Sequence, residues 1–149
     1  MAGWQEFNTS SPDLAAYGAG RLVGKVSYLA TNRADGAPRV HPVVVHIGEG
    51  RLFVYMDPTS PKAHDLLRDG RYALHCSVED ADGGEGEFGM RGQAQVIEDI
   101  SLRTRLFEMA RANGFNPLER YILFELAVEE AFSAIYQGQD VTRKRWKAA

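Results

Sequence analysis

Hydrophobic and polar residues alternate along much of the first hundred positions, which is the pattern of β-strands that bury one face. Five segments are predicted to be strands, at residues 25–31, 37–47, 51–56, 71–78 and 87–97. Asp35-Gly36 supplies a hairpin turn between the first two strands. Gly89 and Gly92 predict bends in the fifth strand, and bent strands favour closure of a sheet into a barrel.

Three further segments carry helix start and stop signals. They predict a short leading helix over residues 11–22, a second helix over 61–67, and a third between Asp99 and Asn113. Beyond the third helix, residues 120–128 are predicted to form a sixth strand. The last segments, 132–136 and 141–146, are predicted to form either one further hairpin or an extended return.

Short connections between these strands exclude repeated helical crossovers and therefore a parallel sheet. The pattern predicts a mainly β protein, a six- to seven-stranded antiparallel split barrel with Greek-key-like connections and two to three short helices. One domain is predicted over residues 1–149, with a leading segment at 1–22, the barrel at 24–136 and a basic tail at 137–149. The tail is either a solvated, frayed end or a clamp for a ligand, and its basic residues are Arg143, Lys144, Arg145 and Lys147.

Composition limits the classes of function. The chain is 44% hydrophobic, so it can bury a core without disulfide or metal staples, and its net charge of −3 is scattered rather than gathered into a field for nucleic acid. A single cysteine, Cys76, excludes an internal disulfide and is typical of a reducing compartment. Neither a signal-peptide pattern nor an apolar run of membrane-spanning length is found. We therefore expect a cytoplasmic protein that binds neither nucleic acid nor membranes.

The most informative local feature is the loop at residues 57–60, between a predicted strand and a predicted helix. Ser60 is a good N-cap, and Pro61 suits the first helical position because its missing N–H would be unpaired there anyway. A helix start offers free backbone donors to an anion, and Lys62 adds a positive charge, so the loop has the composition of a phosphate cradle. The plainer interpretation is a capped helix with a solvated lysine.

Metal and nucleophile chemistry have weaker support. His41 and His46 are five residues apart on one predicted strand, so their side chains should point to opposite faces and not share a metal ion. Cys76 is expected to be a buried structural thiol rather than a nucleophile. No metal site is predicted.

Residues 28–97 resemble the split-barrel flavoproteins related to pyridoxamine 5′-phosphate oxidase. The resemblance rests on the strand from His41 to His46, on Tyr55, and above all on the string Ser60-Pro61-Lys62-Ala63-His64. It implies a homodimer in which FMN lies in a groove between the subunits, with its phosphate held by the loop. A small-molecule substrate would then react at the flavin ring.

The resemblance also implies which residues bind the cofactor. Ser60 and Lys62 correspond to phosphate contacts, with Thr59 and His64 as helpers, and His41 takes the place of an arginine that contacts the cofactor. The other implied cofactor-binding positions are Pro42, Val43, Tyr55, Met56, Glu87 at the position of a glutamine that reaches the ring, and Trp146. Tyr55 could equally fill the core. No catalytic residue is implied.

Departures from the family pattern leave the exact function open. Pro61 replaces the arginine that often precedes the lysine, and the helical segment and arginine–histidine pair that bind the oxidase's substrate are missing. The resemblance therefore implies an FMN-dependent oxidoreductase acting on another small molecule, not a true pyridoxamine phosphate oxidase. Alternatives are a reductase that uses the deazaflavin F420 and a non-catalytic flavin-binding protein for storage or sensing. Other relatives with the same barrel bind haem.

Overall fold

The computed structural model describes residues 2–149. The strands are β1 (Val26–Asn32), β2 (Pro38–Val44), β3 (His46–Gly48), β4 (Arg51–Met56), β5 (Arg71–Cys76), β6 (Glu87–Val96), β7 (Ile122–Gln137) and β8 (Asp140–Lys147). The helices are α1 (Trp4–Ser10), α2 (Pro12–Leu22), α3 (Pro61–Arg68) and α4 (Ile100–Ala112). All strands form one antiparallel sheet in the order β2-β1-β5-β6-β7-β4-β3, with β8 paired to the second half of β7.

The sheet curls until its two ends meet, although they do not pair. β2 and β3 lie at opposite ends of the strand order, yet only Val45 separates them in the chain. Two residue steps span at most about 7 Å, so the two edges must come close together. Val45 is fully buried at this corner. The predicted split barrel is confirmed, but the predicted strand 37–47 is wrong in one respect, because the chain changes sheet edges at Val45.

Two hydrophobic cores share strand β4. Leu52, Val54 and Met56 point into the central core inside the curled sheet. Phe53 and Tyr55, on the other face of the same strand, pack in a second core beneath α4. Every residue from 52 to 56 is therefore buried. β4 is covered on both faces, whereas most strands of an antiparallel barrel have one face in contact with solvent.

The helix signals locate three helices correctly and miss a fourth. The predicted leading helix is α2, and the other two are α3 and α4. The Ser60 hydroxyl accepts a hydrogen bond from the Ala63 N–H at 3.4 Å, and the Asp99 carboxylate accepts one from Leu102 at 2.9 Å, as expected of N-caps. The unpredicted helix, α1, buries Trp4 and Phe7 on one side.

β7 is longer than the sequence predicts. It runs without interruption through residues 122–137 and pairs with β4, β6 and β8 along its length. The predicted strand 120–128 and the segment 132–136 are thus parts of one strand, and the hairpin alternative for 141–146 is the one observed. A β-bulge interrupts the pairing of β7 with β6, because Arg91 pairs with Glu130 and Gly92 with Val128, which leaves Glu129 of β7 as the extra residue. A side chain on Gly92 would begin 1.9 Å from the Ala127 carbonyl oxygen.

A buried arginine ties α2 to the glycine-rich segment before β6. The Arg21 guanidinium donates to the carbonyl oxygens of Ser77 at 2.7 Å and Gly86 at 2.6 Å, and also to the Tyr17 hydroxyl at 2.8 Å. Only 7% of Arg21 is exposed.

Within residues 2–149, no helix has the length and apolar character needed to cross a membrane.

We expect opposite effects from adding one methyl group at two glycines of α2. A Cβ on Gly18 would lie 2.5 Å from the fully buried Phe88 ring, so Gly18→Ala should destabilise the protein by about 1–3 kcal/mol through overpacking. Gly20 is exposed with open space around it, so Gly20→Ala should stabilise by about 0.5–1 kcal/mol. Urea denaturation measures both, and equal effects would contradict the packing of α2 on β6.

Candidate functional site

The loop at residues 57–60 is organised by its own aspartate. The Asp57 carboxylate accepts hydrogen bonds from the Thr59 N–H at 2.9 Å and hydroxyl at 2.7 Å, and it pairs with Arg120 at 3.0 Å. The bonds from Thr59, with that from Arg120, lower the pKa of Asp57 to about 2. The Ser60 hydroxyl donates to the Asp57 carbonyl oxygen at 2.8 Å. Both loop hydroxyls thus already serve the loop itself.

Lys62 is the free cation of this region. In the described part of the chain the Lys62 ammonium forms no ion pair. The backbone N–H of Lys62 donates to no backbone oxygen outside the helix. The next two N–H groups, of Ala63 and His64, are bonded to the Ser60 carbonyl oxygen at 3.1 and 3.2 Å. The start of α3 therefore offers an anion chiefly the amine and N–H of Lys62.

His41 lies close to Lys62 and has an unmet polar atom. Its Nε2 is shielded from solvent and has no hydrogen-bond partner among residues 2–149. Burial lowers the pKa of His41, and the nearby positive charges of Lys62 and Arg39 lower it further. The charge of Lys62 thus acts on a residue that lies 21 positions earlier in the sequence.

Asp65 anchors the positive charge beneath α3. Only 2% of this residue is exposed, and its carboxylate accepts hydrogen bonds from the Thr31 hydroxyl at 2.8 Å, Arg39 at 2.7 Å and Arg68 at 3.3 Å. Burial alone would raise the pKa of Asp65, but these hydrogen bonds together lower it. Asp65 was not among the residues predicted for the site. The only feature of the sequence that could have pointed to Asp65 is its place as an acidic residue on the apolar side of a short helix.

A groove of about 820 Å³ crosses the opposite face of the sheet. Residues directly opposed on successive strands form one row across this face, and they are Pro42, Tyr28, His75, Gly89, Phe132 and Arg145. Phe132 lies over Gly89, where a Cβ would come within 2.3 Å of its ring. Tyr28 is 46% exposed, Val40 63% and Phe132 37%, and all three line this groove.

Three polar side chains are linked at one end of the groove. His75 Nε2 is 2.9 Å from one oxygen of the Glu87 carboxylate, and the Tyr136 hydroxyl donates to the other. His75 Nδ1 is 2.6 Å from the Cys76 carbonyl oxygen. Carbonyl and carboxylate oxygens only accept, so both ring nitrogens must donate and the ring is an imidazolium. Consistently, the contacts of His75 with Cys76 and Glu87 raise its pKa to about 9.

The remaining predicted positions fall into three groups. Val43, Tyr55 and Met56 are buried in the two cores, whereas Pro42, Thr59 and His64 are exposed. Trp146 stacks on Phe7 with ring centroids 4.8 Å apart, donates to Ser10 at 2.8 Å, and lines the groove. Glu87 also lines the groove, but its partners His75 and Tyr136 were not predicted as site residues.

The two parts of the candidate site lie on opposite faces of β2. His41 pairs with the buried Leu29 and faces α3, whereas Val40 and Pro42 face the groove side. β2 is the open edge of the sheet, since it pairs only with β1. A ligand that passes around this edge could therefore contact Lys62 and His41 at one end and the groove at the other.

His41 and His46 do not share a site. They lie on different strands, and His46 is enclosed by aromatic rings, with centroid distances of 4.8 Å to Phe115, 5.4 Å to Phe53 and 5.7 Å to Tyr55. Both His46 Nε2 and the Tyr55 hydroxyl are shielded without a hydrogen-bond partner in residues 2–149. Burial lowers the pKa of His46 and raises that of Tyr55 to about 12.

Comparison with solved structures identifies the fold. A NimC/NimA family protein from Clostridium acetobutylicum is 14% identical, with a TM-score of 0.67 over 95% of this chain and 96% of that one. The heme storage protein HutZ from Vibrio cholerae is 19% identical, with a TM-score of 0.62 over 89% and 92%. An F420 reductase is 16% identical, with a TM-score of 0.58 over 76% and 94%.

No family model matches the chain, and no curated protein matches it in sequence. At less than 20% identity these structural similarities show the fold alone. The resemblance to the pyridoxamine 5′-phosphate oxidase-like split barrels is therefore confirmed as a shared fold.

We expect the half-buried His46 to make the protein less stable in mild acid. Because the pKa of His46 is lowered on folding, the unfolded chain binds more protons below pH 6.5, and the free energy of unfolding should fall there by up to about 1.4 kcal/mol per pH unit. His41 contributes with the same sign. Denaturation at several pH values should show a shallower decrease for His46→Gln, whereas His64→Gln, at an exposed position, should match wild type. An unchanged slope in His46→Gln would contradict this.

Proposed function

We propose that the protein is an FMN-binding flavoprotein whose cofactor phosphate binds between Lys62 and His41. The supporting observations are the His41 Nε2, which has no hydrogen-bond partner in residues 2–149, and the Lys62 ammonium, which forms no ion pair there and whose charge lowers the pKa of His41. A phosphate would accept hydrogen bonds from both groups, and such charge-assisted bonds are among the strongest in proteins. The negative charge of Asp57 is directed towards Thr59 and Arg120, so it does not neutralise Lys62.

The flavin ring would lie along the open edge of β2. Unpaired backbone groups of an edge strand can bind the polar rim of a ring, and Pro42 and Val43 belong to this strand. Glu87, held as a carboxylate by His75 and Tyr136, would accept a hydrogen bond from a ring N–H. Bound flavin supplies the hydride chemistry, so the chain needs to bind, orient and shield the ring rather than provide a nucleophile.

We propose further that the protein is a homodimer whose second copy covers the groove face. Tyr28, Val40 and Phe132 are exposed apolar side chains that line the same groove. A partner seated there would bury these side chains and enclose a ring lying at the β2 edge. The cofactor site would then be complete only in the dimer.

The proposed reaction is oxidation or reduction of a small molecule in the cytoplasm. The missing oxidase substrate motifs make vitamin B6 oxidation a poor candidate. A reductase using F420 is the second candidate, since an F420 reductase shares the fold and a further arginine-lined cavity adjoins the phosphate region. A non-catalytic binding role is the third, since the heme storage protein HutZ shares the fold. Native mass spectrometry of the purified protein identifies the bound group by its mass.

We expect Lys62→Ala to weaken FMN binding by about 1.5–3 kcal/mol, the range for a hydrogen bond to a charged group. Quenching of FMN fluorescence measures the dissociation constant. Lys25→Ala is the matched control, because Lys25 is also a lysine but lies at an exposed position outside the groove and the phosphate region. Equal affinity of the Lys62→Ala variant and wild type would remove Lys62 from the site.

We expect the wild-type protein to have twice its chain mass of 16.5 kDa in light scattering. Tyr28→Glu should shift it towards the monomer, because a carboxylate on the covered face would lose its hydration without a partner. Ile100→Glu is the control, since Ile100 is 81% exposed at the start of α4, away from the groove. A wild-type monomer, or a dimer unaffected by Tyr28→Glu, would contradict the proposed interface.

A further inference from the structure

A second group of positive side chains, next to the phosphate region, lines a cavity of its own. The turn between β1 and β2 and the residues of α3 enclose about 360 Å³. The charged or titratable side chains that line it are Arg33, Asp35, Arg39, His64, Asp65 and Arg68. Lys62 and His41 are not among the residues that line this cavity, although its Arg39 lies on the same strand as His41 and lowers the pKa of that histidine.

The buried Asp65 fixes the orientation of one arginine. It accepts from Arg39 through Nε at 2.7 Å, and the Arg39 side chain is 28% exposed. The two terminal nitrogens of the Arg39 guanidinium have no hydrogen-bond acceptor within residues 2–149. A guanidinium held at Nε presents its paired terminal N–H groups in the planar geometry that matches a carboxylate or phosphate.

The other cations of the cavity are also incompletely paired. Arg68 bonds to Asp65 and to the Asn32 carbonyl oxygen through Nη2 alone, which leaves its other nitrogens without an acceptor in the described residues. Arg33 is 51% exposed, and its closest carboxylate, Asp35, is 3.8 Å away, beyond hydrogen-bond distance. Three guanidinium groups thus face two carboxylates, and one of those, Asp65, is shared by two of the arginines.

We propose that this cavity binds an oxyanion, either a phosphate or a carboxylate group, at a site separate from Lys62 and His41. Spare positive charge, several unused N–H donors and a concave shape are the features that recognise such a group. The oxyanion is a free ion or the second anionic group of a larger ligand. In the second case the inference rests on the proposed function, with FMN replaced by a cofactor that carries a longer anionic tail.

The test is a titration of the full-length protein with inorganic phosphate at constant ionic strength. The Nε–H NMR signals of ¹⁵N-labelled arginines report binding directly, and the same spectra show whether each variant is folded. We expect Arg33→Gln and Arg68→Gln each to weaken phosphate binding by about tenfold, the lower end for loss of a charged hydrogen bond. Arg71→Gln is the control, because Arg71 is 68% exposed, pairs only with Asp69 and lies outside the cavity. It should change binding less than about twofold.

Two further arms separate the site from the cofactor phosphate site and identify the source of the anion. Lys62→Ala should leave inorganic phosphate binding at the cavity unchanged, and saturation with FMN should not displace it. If F420 loses affinity in Arg33→Gln and Arg68→Gln while FMN does not, the anion is the tail of the cofactor. If neither cofactor loses affinity while inorganic phosphate does, the site takes a free oxyanion.

Several outcomes would overturn the inference. These are phosphate binding that is equally strong in all variants, binding that is lost only in Lys62→Ala, and competition between FMN and phosphate for one site. Failure of FMN to bind at all, with phosphate binding still sensitive to Arg33 and Arg68, would instead reject the proposed function and leave the oxyanion site intact.

Discussion

The corner at Val45 is the constraint on which the rest of the structure depends. By burying one apolar residue between β2 and β3, the chain leaves one edge of the sheet and starts the other. The sheet must therefore curl around the central core, but the edges remain unpaired and β2 stays open. The same curl leaves β4 covered on both sides and brings α3 beneath β1 and β2. Both halves of the candidate site border the open edge that this corner creates.

The elements that the sequence predicts correctly are those decided by local chemistry. Caps such as Ser60 and Asp99, the Asp35-Gly36 turn and the alternation within single strands all act over a few residues. The errors concern choices made by distant contacts. The chain passes from one sheet edge to the other at Val45 because that residue is buried in the central core. β7 continues to residue 137 because β4, β6 and β8 pair along it. α1 is stabilised by packing of Trp4 and Phe7.

The candidate site divides in the same way. The string around Ser60 and Lys62, with His41 on a separate strand, could be proposed because its residue types match a known loop. Its role in binding stays a prediction, although the charge of Lys62 lowers the pKa of His41. The groups that organise the region could not. Asp65 becomes informative only when Thr31, Arg39 and Arg68 converge on it, and His75 only when the register sets it opposite Gly89 and within reach of Glu87.

The doubly donating ring of His75 has a consequence for how the groove behaves in solution. Histidine usually changes its charge near neutrality, but the contacts of His75 raise its pKa to about 9, and the hydrogen bonds from Tyr136 and His75 lower the pKa of Glu87. Near neutral pH the His75–Glu87 pair therefore keeps its opposite charges, so neither of these two side chains is poised to take up or release a proton in a reaction at the groove.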